Sequence, residues 1–248
     1  SMWKKCPKQW ALQYRDGHKI YTQSIHTVFG SAFHETLQHS LEVMYEKSGA
    51  AADREDIDTL LKDKLREHYI SEFKKNNYQH FSNPGELSDF CEDGINIIEF
   101  IKKKRGSYFT KRGWHLVGIE TPISLSPHPN YPNIVYIGFL DVVLYNENTK
   151  KFKIIDIKTS TKGWNDYAKK DEEKQFQLIL YKKFFAKQFD VLEENIDIEF
   201  FIVRRKIYED GDYPQKRVQE FRPPSGKIKM GRATKALNEF IETCFNEN

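Results

Sequence analysis

Cysteine is scarce in this chain. The 248 residues contain three, Cys6, Cys91 and Cys244, an odd number spread far apart. That excludes a disulfide scaffold, offers no paired spacing for a structural zinc, and predicts a reducing, cytoplasmic setting. Long apolar runs are missing too: the longest, from Ile134 to Tyr145, is broken by Asp141 and falls well short of a membrane span. No stretch at the start reads as a secretory signal, and there is no internal repeat or low-complexity segment. Net charge is nearly absent as well. With 39 Lys and Arg against 36 Asp and Glu the sum is +3, which excludes a uniformly basic coat of the histone kind. Any polyanionic partner must be held by local patches.

What is present is a chain that is 39% hydrophobic and 14% aromatic, enough for a globular core. Clusters of turn residues at 83–85, 126–132, 146–149 and 211–224 read as loops within one domain spanning 1–248. Ile57, Leu60, Leu61, Leu65 and Phe73 recur at helical spacing, and so do Leu87, Phe90, Cys91, Gly94, Ile95, Ile98 and Ile101. Segments 114–125, 134–145, 151–158 and 197–204 carry short β-branched and aromatic runs typical of strands, and helical periodicity returns at 172–188 and 228–245. The order predicts an α/β fold: a small mixed sheet flanked by helices, with a helical N-terminal part over 1–113, a core over 114–204, and a C-terminal loop and helix over 205–248.

The most informative stretch is Ile154-Ile155-Asp156-Ile157-Lys158-Thr159. Alternation puts Asp156 and Lys158 on one face of a strand and Ile155 and Ile157 on the other. Upstream, Gly138-Phe139-Leu140-Asp141-Val142-Val143 is a second strand with a lone carboxylate in apolar surroundings. A turn centred between Asn148 and Thr149 sets Asp141 directly opposite Asp156, with Cβ atoms roughly 5 Å apart. Like charges so placed call for compensation, and a hard divalent cation such as Mg²⁺ or Mn²⁺ is the natural candidate. An ordinary ion-pair network with Lys158 on an exposed hairpin face is the other reading of these residues. The apolar flanks favour the buried, metal-holding one.

Four motifs in order carry a resemblance: Gly30-Ser31-Ala32-Phe33-His34, Gly138-Phe139-Leu140-Asp141, Asp156-Ile157-Lys158-Thr159 and Gln177-Leu178-Ile179-Leu180-Tyr181. Together they resemble the G-x-x-x-H, G-x-x-D, D-x-K-T and Q-x-x-x-Y set of the PD-(D/E)XK nuclease superfamily, in its RecB-like and AddB-like exonuclease branch. The opening segment through Tyr14 is similar to that branch's N-terminal segment. The resemblance implies a restriction-endonuclease-like core and a nuclease that hydrolyses DNA phosphodiesters, most readily as an exonuclease on single strands or ends, in repair, recombination or replication. It implies that His34, Asp141, Asp156 and the backbone carbonyl of Ile157 bind one or two Mg²⁺ or Mn²⁺ ions and that Lys158 assists catalysis. Gln177 and Tyr181 would position the nucleic acid, and Glu120 would lie behind the metal ligands. The implied partners are DNA and helicase, replication or recombination proteins, with no membrane. A structure-selective endonuclease and a noncatalytic nucleic-acid-binding subunit remain open beside it.

Residue physics adds detail. Gln177 and Tyr181 share a helix face with Lys170 and Lys174, a basic seat for phosphates. Trp164 and Tyr167, among lysines just after the Asp156 strand, are candidates to stack on bases. Basic runs at Lys102–Arg105 with Lys111-Arg112, and at Arg204–Lys206 with Lys216-Arg217, are candidate grips. Relatives with an iron–sulfur cluster carry three clustered C-terminal cysteines, which this chain lacks. The cluster is therefore expected to be absent, with Cys6 a small buried hydrophobe.

Overall fold

Asn83, read above as part of a loop, instead starts a long helix. Its side-chain oxygen accepts the N–H of Glu86 at 2.8 Å, and Pro84 occupies the first helical turn, where a missing N–H costs nothing. Ser24, Ser48 and Asp56 cap three other helices in the same way. The computed structural model describes residues 2–18, 22–208 and 214–245. Its elements run α1 (Met2–Lys5), α2 (Pro7–Trp10), α3 (Ile25–Glu46), α4 (Gly49–Arg54), α5 (Ile57–Lys75), α6 (Pro84–Tyr108), β1 (Trp114–Leu125), β2 (Tyr136–Asn146), β3 (Lys151–Ser160), α7 (Asp166–Lys170), α8 (Glu172–Phe189), β4 (Ile196–Arg204), β5 (Val218–Phe221) and α9 (Lys227–Phe245). Among the described residues no helix is long and apolar enough to cross a membrane.

The strands form one mixed sheet in chain order, antiparallel except for the parallel β3–β4 pair. Apolar stripes of α3, α5 and α6 pack on one face through Val142, Leu144, Ile155, Ile157 and Phe201. Helices α8 and α9 pack on the other through Val143, Ile154, Phe200 and Ile202. Ile154, Ile155 and Ile157 are fully enclosed, each worth roughly 1.5–3 kcal/mol of burial. The sheet is thus sandwiched between helices, with a helical N-terminal half, as the order of elements predicts.

The β2–β3 hairpin has the register expected from its sequence. Val142 faces Ile155 and Asn146 faces Lys151. Asn146 closes the turn by accepting the N–H groups of Asn148 and Thr149. The ladder stops at Val142 and Ile155, one step short of the two aspartates.

One irregularity was not expected. Residues two or four apart on a strand should share a face, yet Ile119 packs with the α3 layer and Ile123 with the α8 layer. Across the ladder Val142 and Leu140 divide in the same way. The exchange occurs at Glu120, whose φ of 47° lies in the left-handed region, opposite Asp141. Both residues drop out of the regular pairing there.

The C-terminal stretch also departs from expectation. Residues 218–221, inside the loop assigned to 211–224, form β5, with Phe221 against Phe200; residues 211–213 of that assignment lie outside the described ones. Four residues among arginines and prolines are too few for alternation to be read. The basic run at 204–206 turns inward: Arg205 is buried, its guanidinium 3.8 Å from the Phe90 ring centroid and paired with Asp93, which also takes Lys206 at 2.9 Å. Arg217 donates to the backbone of Arg204 and Arg205. Most of this patch therefore holds the sheet to α6.

Candidate active site

Helix α3 brings its residues to the sheet because Gly30 has no side chain. A Cβ there would sit 3.3 Å from Thr159 Oγ1, so the helix crosses close to the end of β3. One turn later comes His34, whose Nδ1 lies 3.7 Å from Asp141 Oδ2. Another turn on, the buried Gln38 donates through Nε2 to Glu120 Oε1 at 2.6 Å and to the backbone oxygen of Asp141 at 3.1 Å. Gln38 thus fastens both halves of the irregularity to α3. Sequence reasoning missed it, although its position four residues after His34 on the same stripe was a usable signal.

The two aspartates occupy different surroundings. Asp141 Oδ2 accepts the N–H of Ile157 at 2.6 Å, taking the place a ladder carbonyl would fill. Asp156 is 3% exposed; its Oδ2 has Lys158 Nζ at 2.8 Å as an ion pair and no hydrogen bond of normal geometry. Lys158 keeps 31% of its side chain exposed, so the ammonium faces both the acid and solvent.

Burial governs the protonation of this cluster. It raises Asp141 and Asp156 to about 6, helped by the Glu120 charge at Asp141 and by the Asp141 charge at Asp156, while the Lys158 ammonium opposes both. Burial lowers His34 to about 4, with Lys158 acting the same way and the charges of Asp156 and Glu120 opposing. At neutral pH the imidazole is uncharged and able to donate a lone pair, and the carboxylates resist sharing their charge unaided. Oxygen and imidazole donors suit a hard divalent ion, and the incompletely bonded Asp156 Oδ2 is the kind of atom one would satisfy. The donors are not arranged as a ready cage: among the described residues no group of three or more His, Cys, Asp or Glu is placed to hold an ion.

Helix α8 closes the far side. Gln177 Nε2 donates to Tyr181 Oη at 3.2 Å. The Tyr181 ring lies on Gly138, where a Cβ would come within 2.7 Å of Cε1, so any side chain at that position would displace the ring. Burial raises the Tyr181 hydroxyl, and the charges of Asp156 and Asp141 add to the effect. Lys170 does not share this face as expected. It ends α7, and Asp171 then caps a separate helix.

Other candidates are placed less centrally. Lys174 Nζ lies 5.2 Å from the Trp164 ring centroid, and that ring packs against Phe200 at 5.0 Å and Phe221 at 6.5 Å. Tyr167, by contrast, is 86% exposed. In the first basic patch Arg105 is paired with Asp53 at 2.6 Å and Lys111 donates to the Lys47 carbonyl, while Lys104 and Arg112 remain exposed. Cys6 is exposed, not buried: its Sγ accepts the N–H of Gln9 at 3.4 Å and caps α2.

The family model of the PD-(D/E)XK nuclease superfamily matches residues 2–243. No curated protein matches the chain. The family match begins in the aromatic N-terminal segment, takes in both aspartates and Lys158, and runs into the last turns of α9. On that extent the chain belongs to the PD-(D/E)XK nuclease superfamily.

Proposed function

We propose that the protein is a RecB-like, metal-dependent deoxyribonuclease that acts as an exonuclease on single-stranded DNA or DNA ends. The observation that carries this reading is the convergence of Asp141, Asp156, a neutral His34 and Lys158 where the β2–β3 ladder ends. His34, Asp141, Asp156 and the Ile157 carbonyl would hold one or two Mg²⁺ or Mn²⁺ ions, which when bound acidify water and stabilise charge on phosphate oxygens. Lys158 presents Nζ beside Asp156 and is exposed enough to meet a phosphate. Gln177 and Tyr181 present a joined amide and hydroxyl to the backbone of the bound strand. Glu120, held by Gln38, adds negative charge behind the ligands.

The test uses oligonucleotides labelled at either end, with Mg²⁺ or Mn²⁺, alongside a covalently closed circle. Stepwise shortening from one end with the circle intact is the expected result. Cutting of the circle would favour the structure-selective endonuclease, and no cleavage of DNA or RNA with either ion would sink the enzyme reading.

A second prediction concerns pH. Because Asp141 and Asp156 titrate above the ordinary carboxylate range, their contribution to metal-free stability is present in acid and lost as pH rises through about 6. His34, lowered from 6.5 to about 4, acts oppositely, losing its contribution as pH falls between those values. An ion that binds the deprotonated acids offsets the loss at high pH. Mn²⁺ is therefore expected to raise the melting temperature more at pH 8 than at pH 5.5, with about 2.7 kcal/mol gained at a hundredfold excess over Kd. Equal gains in scanning calorimetry at both pH values would place the ion elsewhere.

A further inference from the structure

Beside Gln177 and Tyr181, a groove of about 430 Å³ opens between the N-terminal segment and helices α8 and α9. Its walls include Trp3, Lys4, Trp10, Phe176, Gln177 and Phe240. The Trp3 and Trp10 rings lie against Phe240, with centroids 5.6 and 5.2 Å apart, and Lys4 Nζ stands 5.8 Å from the Phe176 centroid. Lys4, Lys5 and Lys8 are exposed along the same segment. The groove neighbours the site just described: Gln177 lines it and bonds Tyr181, whose hydroxyl feels the charges of Asp156 and Asp141.

Aromatic rings with the Lys4 ammonium and the Glu173 carboxylate in the same wall, and with Lys5 and Lys8 exposed on the adjoining segment, meet both needs of an unpaired strand, flat bases to stack and a net positive rim to offset the backbone charge. A duplex presents the charge but not the open bases, which already stack on one another. An apolar peptide would use the rings but would leave the row of lysines unexplained.

We propose that this groove holds unpaired bases of a single-stranded nucleic acid whose adjoining phosphate lies at Asp141 and Asp156. The proposal rests on the reading of those acids as the cleavage centre. It adds where the strand runs, over the N-terminal segment, and makes an unpaired end the substrate the site selects.

The probe is fluorescein-labelled oligothymidylate, titrated with the full chain in EDTA and followed by anisotropy, so that binding is read without cleavage. Lys4→Glu and Trp3→Ala are each expected to weaken binding about tenfold. Single abasic sites walked along the oligonucleotide are expected to lower affinity at one or two positions for the parent, with that dependence gone in Trp3→Ala. Unchanged affinity in folded variants, or an abasic scan without position dependence in the parent, overturns the assignment; a groove made for a protein segment would give this outcome. If Trp3→Ala fails to fold by circular dichroism, the exposed Lys4→Glu and the parent's abasic scan decide. Hydrolysis of bis(p-nitrophenyl) phosphate with Mn²⁺, an ester without bases, reports on the acids alone. Its absence in the parent would defeat the cleavage reading while leaving the binding result to stand by itself.

Discussion

Replacing Asp156 by asparagine is expected to lower phosphodiester cleavage about 10³-fold or more and to leave the fold intact. Loss of a charged ligand at a metal-assisted centre removes roughly 4 kcal/mol of transition-state stabilisation, and each 1.36 kcal/mol is a factor of ten. The stability side follows from burial. Asp156 is 3% exposed and its pKa is raised, so the ionised form costs the metal-free fold at neutral pH. An amide of the same shape removes that cost. The variant is expected to melt no lower than the parent at pH 8 without metal, and to lose most of the stabilisation by Mn²⁺. Calorimetry and a cleavage time course check the two halves separately. Cleavage at the parental rate would mean that the acid is structural, and a lower metal-free melting temperature would mean that its ion pair with Lys158 outweighs desolvation.

Lys158→Ala is expected to slow cleavage about 10²- to 10⁴-fold, the range for loss of a positioned proton-bearing group. The ammonium also holds down the pKa of Asp141 and Asp156 and of His34. Its removal should therefore displace the acid limb of the residual pH–rate profile toward higher pH, because the acids would then ionise later. A residue that merely filled space would change the rate without moving that limb. An unmoved limb together with full activity would show that the lysine acts elsewhere.

The register that brings the candidate residues together was legible because hairpin symmetry is strict. Once Asn146–Thr149 is taken as the turn, the apolar flanks of Asp141 and Asp156 allow one register, and a slip of one residue would have turned Ile155 and Val142 out of the core. Gly30, Gly138 and Thr159 were visible as motif letters, but their reasons are spatial: Gly30 makes room for Thr159, and Gly138 for Tyr181. The exchange of faces at Glu120 and Asp141 was hidden, since a positive φ at glutamate leaves no mark in composition or alternation. Gln38 stood in line with His34, but its two partners were hidden, since they lie on strands more than eighty residues away. The basic run at 204–206 misled for the reverse reason. A charge run is usually solvated, and only the fold reveals Asp93 and Phe90 waiting to receive Arg205.

The irregular step at Glu120 and Asp141 also has a mechanical meaning. On one side of it the β1–β2 hairpin is gripped by the α8 layer, through Leu140, Ile123 and the Tyr181 ring over Gly138; on the other it is gripped by the α3 layer, through Val142 and Ile119. Asp141 sits between the two grips, its backbone oxygen pinned by Gln38. The carboxylate of Asp141 therefore takes its position from both helical layers at once.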